Sequence, residues 1–557
     1  SGRYVMVFNG EMYNFMEVKK KLTEYAFRTN GDSEVLLAAY AKWGPDCIHY
    51  FRGMFAFAIW DTLERSLFIC RDRMGVKPLY YFIDQDTFLF SSEIRSLLAS
   101  GLIKRKINNQ ALIEYFSYQS VSYPYSIIDG VMQLEAGSWM RVKDGVMEKK
   151  VYWDLTASKT DFDFSDIQKT QSRIKELMLQ SVERRLVSDV PVGAFLSGGI
   201  DSATVVGMMA EVATAKPNTF NISFQEKEFD ESHYASIIAK KFNTQHTQIL
   251  LKPTVFLDEL QNALHAIDSP TGDGINTYVV SKAIRQHGIT VALSGVGGDE
   301  LFAGYPLFSQ YLRLQQKSWL WKLPSGIKSV MASIAGSTVS NGKINRLQQL
   351  IRLDDCSIEN TYPVFRQILS PWLINQVTKI TGNNSFITAV QEELISKKQR
   401  LDQMAFLSQM SAAEYLGYTQ HTLLKDTDQM SMAVSLEVRE PFFDQDLVEF
   451  VLAVPDRLKK PTYPKSLLVE SIRPLLPEEI VFRKKQGFLF PWNLWLKNEL
   501  RSFCDQHIRN ISMRPFIHGE RLILYWQRFL KGDTSIRWAE IWLFVVLEYW
   551  LEKNNVD

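Results

Sequence analysis

The sequence predicts an α+β domain rich in antiparallel pairing, followed by a larger α/β domain built on a doubly wound parallel sheet with a helical extension. Three observations support this. At 557 residues the chain exceeds a single ordinary core, and 46% hydrophobic with 22% charged residues is the balance of a globular protein. Up to about Asp154, short apolar runs are joined by tight polar turns. Beyond the polar stretch "DLTASKTDFDFSD", apolar runs alternate with helix-length segments, the rhythm of strand–helix–strand units. The expected domains are therefore residues 1–154 and 166–557, joined by a linker over 155–165.

In the first part, "RYVMVFNG" reads as a strand, and helices are expected at roughly Asn14–Tyr25 and Ser33–Trp43. "GMFAFAIWD" and "SLFICRD" flank the polar "TLER" as a hairpin would, and "PLYYFI" and "TFLFSSE" follow as strands. The linker ends in a helix cap at Ser165 or Asp166, after which Ile174, Leu177, Met178, Ser181 and Val182 recur at helical spacing. "VPVGAFL" is a buried strand followed by a helix after Asp201, and "NTFNISF", "TQHTQILL" and "ITVALS" continue the sheet. From Pro306 onward the text is mostly helical and interrupted by prolines, with no repeat and no low-complexity tract.

Charge narrows the function. Sixty-three Lys and Arg against 62 Asp and Glu leave a net +1, so no global field gathers nucleic acid or a membrane surface, and a small-molecule substrate is expected. Cys47, Cys70, Cys356 and Cys504 lie far apart and form no C-x-x-C pair, which predicts neither disulfides nor zinc and favours a cytoplasmic setting. No apolar run approaches bilayer length, and the first residues lack a signal peptide's pattern.

The chemistry gathers at two strand ends. In "FLSGGIDSAT", Gly198 and Gly199 let the backbone curl around one anion, Ser197 and Ser202 add hydroxyl donors, and Asp201 can hold a Mg²⁺ shared with phosphates. A polyphosphate is implied, although a plain glycine turn gives the same letters. Walker A is absent: the only Gly-Lys pair, Gly342-Lys343, continues with Ile344 and has Ser337 where the first glycine belongs. The second strand end, "LSGVGGDELFAGY" from residue 293, brings Ser294, Gly295, Asp299 and Glu300, where another carboxylate can meet the same metal. An acidic helix start stabilised by the helix dipole explains Glu300 equally.

The S-G-G-x-D-S form resembles the pyrophosphate loop of ATP pyrophosphatases, and both loops together resemble glutamine-dependent asparagine synthetase. The resemblance extends nearly end to end. "MSMAVSLEVREPFFD" is similar to the family's segment lining the synthetase pocket, and "YPKSLLVE" carries Lys465 where the family keeps a lysine that contacts ATP and the adenylate. "FRKKQGF" resembles a basic loop closing over departing pyrophosphate. By the same resemblance Leu196 and Ile222 border the nucleotide, and Lys465, Asp299 and Glu300 are the catalytic candidates. "NGEMYN" and "NGDSEV" match the glutamine pocket of an N-terminal nucleophile hydrolase domain. There Asn9 and the Gly10 N–H would form an oxyanion hole, and Glu11 and Asp32 would grip the amino end of glutamine. Without the family, Asn-Gly is a turn and Asp32 a helix cap.

What the resemblance implies is a ligase. ATP and Mg²⁺ are its cofactors, glutamine or ammonia and aspartate its substrates, and a homodimer its assembly. Amide, AMP and pyrophosphate leave after an acyl-adenylate forms. Other acceptors, a sugar acid, a peptide carboxylate or a ring closure, and a catalytically degenerate scaffold are the alternatives. Three departures stand out. The family's glutaminase begins with a nucleophilic cysteine, whereas this sequence starts at Ser1 within what reads as a later strand, so the chain as given is expected not to hydrolyse glutamine. Val296 stands where the family often has an acid, and "SPTGDGINTY" lacks the arginine that some members place near aspartate.

Overall fold

The computed structural model describes residues 2–157, 160–224, 230–336, 342–380, 387–459, 461–483 and 490–557. Eight strands belong to the first domain: β1 (Tyr4–Met12), β2 (Gly53–Asp61), β3 (Ser66–Arg71), β4 (Tyr80–Asp84), β5 (Thr87–Ser91), β6 (Val131–Gln133), β7 (Ser138–Lys143) and β8 (Val146–Val151). They form a five-stranded sheet in the order β1-β2-β3-β7-β8 and a three-stranded sheet in the order β5-β4-β6. The expected hairpin is β2 with β3, antiparallel, with Ala58 opposite Ile69. Its alternation sorts the two faces: Phe55, Phe57, Ile59 and Phe68 pack under the helix Asp32–Trp43, while Ala56, Ala58 and Ile69 face the smaller sheet.

The first helix covers only Phe15–Lys20, shorter than the apolar spacing suggested. Its last turn runs into three consecutive lysines, Lys19, Lys20 and Lys21, and Val18 is the only buried residue it offers, too little packing to extend a helix in water.

Five parallel strands build the second domain: β9 (Val192–Phe195), β10 (Asn218–Phe224), β11 (Gln245–Leu251), β12 (Val291–Leu293) and β13 (Glu437–Arg439), in the order β11-β10-β9-β12-β13. The sheet grows outward from β9 in both directions, so the β9–β12 pair is the topological switch point, where a doubly wound sheet opens a crevice at its carboxyl edge. Leading into β9 is the helix Ile167–Arg185, capped by Asp166, whose side chain accepts from the Gln168 and Lys169 N–H groups. Its expected apolar stripe, Ile174, Leu177, Met178, Ser181 and Val182, is buried.

Much of the C-terminal region is helical, as expected. The last long helix, Trp538–Asn554, is apolar nearly all round and lies inside a core shared with residues 94–131 of the first domain.

Candidate active site

At the switch point the two glycine loops face each other. After β9, Gly198 takes φ +70°, and a Cβ there would sit 2.6 Å from the Tyr234 side chain, so only glycine fits. Gly199 precedes the helix Ile200–Val212, whose first turn carries Asp201. The Ser197 and Ser202 hydroxyls are 3.1 Å apart, and Ser202 also reaches the Gly199 carbonyl at 3.2 Å. Leu196 is buried and held from both sides: its N–H donates to the Phe220 carbonyl, and its carbonyl accepts from the Asn221 side chain.

The second loop packs directly on the first. A Cβ on Gly295 would lie 2.8 Å from the Ser202 N, and one on Gly298 would lie 2.3 Å from Asp201 Oδ1. Ser294 donates its N–H to the Arg439 carbonyl of β13 at 2.9 Å, tying the loop to the sheet edge. These glycines let two strand ends approach until Asp201 and Asp299 aim at a common point. Lys465 occupies that point: Nζ is 2.7 Å from Asp299 Oδ1 and also ion-paired with Asp201 Oδ2.

Lys465 comes from a remote segment, just before the short helix Ser466–Ser471, in the left-handed region at φ +59°. It is 4% exposed. Burial pulls its pKa down, but the Asp201 and Asp299 carboxylates outweigh that and hold it above the ordinary lysine value. Gly304 makes room for it, since a Cβ there would meet Asp299 Oδ1 at 2.0 Å and Lys465 Cε at 2.4 Å.

Glu300 does not join this cluster. It is 1% exposed and turned inward, accepting a 2.7 Å hydrogen bond from the Tyr305 hydroxyl. Burial, and then the like charge of Asp299, push it up to about 7. Tyr305 was not singled out in the sequence, although its place five residues after the acid on a short loop was the available signal.

Beside the loops lies a mostly apolar cavity of about 300 Å³, lined by Leu196, Ser197, Ile222, Asn276, Ser294 and Val296 among others. Val438, from the "SLEVRE" segment, and Thr427 also line it. Of the basic "FRKKQGF" stretch, residues 484–488 lie outside the described residues. Arg483 is described, and pairs with Glu231 at 2.7 Å.

In the first domain Asn9, Gly10 and Glu11 follow one another along β1, opposite Ala56, Phe55 and Met54. Gly10 has φ +142°, with the Met54 carbonyl 2.1 Å from where a Cβ would be. Asn9 donates to the Ser92 hydroxyl at 2.9 Å, and Asp32 accepts from the Met12 N–H at 2.9 Å. Glu11 points across the domain boundary, 3.6 Å from Arg439 Nη2. Burial and the neighbouring Glu437 raise it to about 7, against the pull of Arg439.

That boundary is polar and closed. Across it Lys77 and Asp428 pair at 2.6 Å, Arg52 and Asp446 at 3.3 Å, and the Tyr13 ring lies against the Arg185 and Arg439 guanidinium groups at 4.8 and 5.4 Å. A second cavity, of about 110 Å³, lies between the Tyr118–Ser122 segment and the stretch Tyr415–Leu424, which is wound as a π-helix. Tyr362 packs against this stretch: its hydroxyl accepts the Tyr418 N–H and would clash with any Cβ on Gly417. In the wall, His421 is held neutral by burial, with the Arg71 and Lys425 charges adding, its pKa down to about 3.

Two family models divide the chain: the glutamine amidotransferase domain matches residues 1–153, and asparagine synthase matches residues 173–552. The chain belongs to the asparagine synthase family. Asparagine synthetase [glutamine-hydrolyzing] 1 of Bacillus subtilis is 30% identical, covering 99% of this chain and 86% of that protein. Putative asparagine synthetase [glutamine-hydrolyzing] 2 of Methanocaldococcus jannaschii is 38% identical over 64% of this chain and 70% of its own. Amidase chyE of Penicillium rubens is 26% identical over 92% and 81%. As a member of the asparagine synthase family the chain is a glutamine-dependent amidating ligase, with the amidotransferase domain first and the synthase domain after it. Among the described residues no helix is long and apolar enough to cross a membrane.

Proposed function

We propose that the β9–β12 centre amidates a carboxylate through an acyl-adenylate, with aspartate the first acceptor to test. The observation that carries this is the convergence of Asp201, Asp299 and Lys465, from three separate segments, on one point beside the mostly apolar cavity. Attack of a carboxylate on the α-phosphorus needs in-line positioning and neutralisation of the charge gathering on pyrophosphate. Lys465 supplies a cation that stays protonated throughout the neutral range. Gly198, Gly199 and Ser202 offer hydrogen-bond donors to phosphate oxygens at a helix start.

Asp201 and Asp299 would hold a Mg²⁺, their two carboxylates being the hard oxygen donors it selects. Among the described residues no group of three or more ligating side chains occurs, so these two carboxylates are the protein ligands such an ion would have here. When bound, the metal supplies neutralisation of the phosphate charge. Ammonia supplied by a glutaminase in the first domain would have to cross the seam between the domains, where a small cavity walled by neutral His421 lies.

A second reading keeps the chemistry and changes the acceptor. Val296 lines the cavity with an apolar side chain, and relatives named amidases sit beside those named for asparagine. ATP–pyrophosphate exchange against a panel of carboxylic acids separates the readings. Exchange with aspartate supports the first, exchange with another acid the second, and none with any acid overturns adenylation at this centre.

A further inference from the structure

Between Leu301 and Leu353 the sequence holds seven Lys or Arg and no Asp or Glu, in a chain whose total charge is only +1. This is a local field that the net charge conceals. Its cations Arg313, Lys317, Lys322 and Arg352 are exposed, and none is ion-paired among the described residues.

The same segment turns its apolar side outward. In the helix Ser325–Gly336, Ile327, Val330 and Met331 form one stripe at i, i+3, i+4 spacing and are 49%, 59% and 36% exposed. The opposite face buries Ala332 and, against ordinary amphipathic logic, Lys328, whose ammonium is spent on the Leu353 carbonyl at 2.9 Å. Trp319, in the turn Ser318–Lys322 just before this helix, is 60% exposed, and Leu347 on the packed neighbouring helix is 47% exposed. A helix that hides its lysine and shows its Val, Ile and Met to water is built for something other than water.

We propose that this segment docks the protein on an anionic lipid bilayer. Charge complementarity selects the occupant: an apolar stripe flanked by a tryptophan and by the cations Arg313, Lys317 and Lys322, with the first carboxylates after Glu300 only at Asp354 and Asp355, matches the acyl–headgroup boundary of a negatively charged leaflet. Tryptophan favours that depth, where its ring is apolar and its N–H stays wet. The helix lies on the surface and does not span it, consistent with the lack of any bilayer-length helix among the described residues. The helix Pro306–Gln316 links the patch to the second glycine loop.

The test is flotation of the whole chain with vesicles of phosphatidylcholine alone, and of phosphatidylcholine with phosphatidylglycerol, at low and high salt. Binding is expected only to the anionic vesicles and only at low salt. Lys317→Gln and Lys322→Gln should each weaken partitioning about fivefold, and Ile327→Ser with Val330→Ser should weaken it further. These variants should keep the parent's melting temperature and ATP–pyrophosphate exchange, since none touches the β9–β12 centre. Equal binding to both vesicle types, or none, overturns the proposal. So does a concentration-dependent dimer in analytical ultracentrifugation that the Ile327 and Val330 variants dissociate, because a second copy would then be the cover.

Discussion

Lys465→Met tests the centre most directly, since it keeps most of the side chain's bulk and removes the charge between two carboxylates. Breaking a buried ion pair by deleting one partner costs ~3–5 kcal/mol, because the remaining charge stays desolvated. The Asp201 and Asp299 side chains are 18% and 15% exposed, so water reaches them and the low end, ~3 kcal/mol, applies. Unfolding entropy of ~2.1 cal/mol/K per residue over 557 residues is ~1.2 kcal/mol/K, which converts the loss to a fall of ~2.5 °C in Tm. The fall should be read by scanning fluorimetry in EDTA and should shrink when Mg²⁺ is added, the metal replacing the missing cation. Pyrophosphate exchange should drop by at least ~10²-fold in either buffer. An unchanged melting temperature in EDTA, or a fall that Mg²⁺ leaves untouched, would refute the account of Lys465 as the counter-charge of both acids.

Four further outcomes are expected. Asp201→Asn should abolish Mg·ATP use while circular dichroism stays that of the parent, because the loop's path is set by its glycines. Gly298→Ala should do the same without altering any charge, by driving a methyl into Asp201; exchange near the parent's rate would show that Asp201 is not fixed there. Val296→Glu should raise or preserve amide formed per ATP, measured as amide against AMP, whereas a collapse of AMP formation would mean the pocket requires an apolar wall. Burial raises Glu440 to about 8 despite Lys77 and Arg185, so the folded state keeps a proton that the unfolded chain releases near pH 4.5, and stability is lost progressively as pH rises from 4.5 to about 8. Glu440→Gln should therefore raise Tm at pH 8.5 by on the order of 2 °C and leave it unchanged at pH 4, as seen by scanning fluorimetry across pH.

The switch-point loops were legible in the sequence because glycine and aspartate at a strand end are local features: the backbone path and the charge both come from neighbouring letters. The meeting of Asp201 with Asp299 was inferable once β9 and β12 were read as strands of one sheet. Lys465 came from resemblance, and nothing local announces that it sits between both acids, since a lysine near a proline is normally solvated. Glu300 shows the opposite limit. Its neighbour Asp299 faces the cluster, and one residue further along the helix the side chain points into the interior toward Tyr305. The pairing of Glu11 with Arg439 depends on how two domains dock, which no window of the sequence contains. The outward apolar stripe at Ile327 was invisible for a simpler reason: periodicity reports that a helix has two faces but not which one the fold covers.

The closed seam between the domains changes what the linker over residues 155–165 is for. Residues 94–131 share a core with the helix Trp538–Asn554, the backbone N–H of Ile107 donates to the carbonyl of the last residue, Asp557, and Asp268 accepts from the Ile94 and Arg95 N–H groups. Pulling the halves apart would strip Lys77 from Asp428 and Arg185 from Tyr13 along with this apolar surface. A protease that severs the linker should leave two fragments that migrate together under native conditions and melt in a single transition. The peptide connection is thus dispensable once the chain has folded, and the halves behave as subunits that happen to be covalently joined.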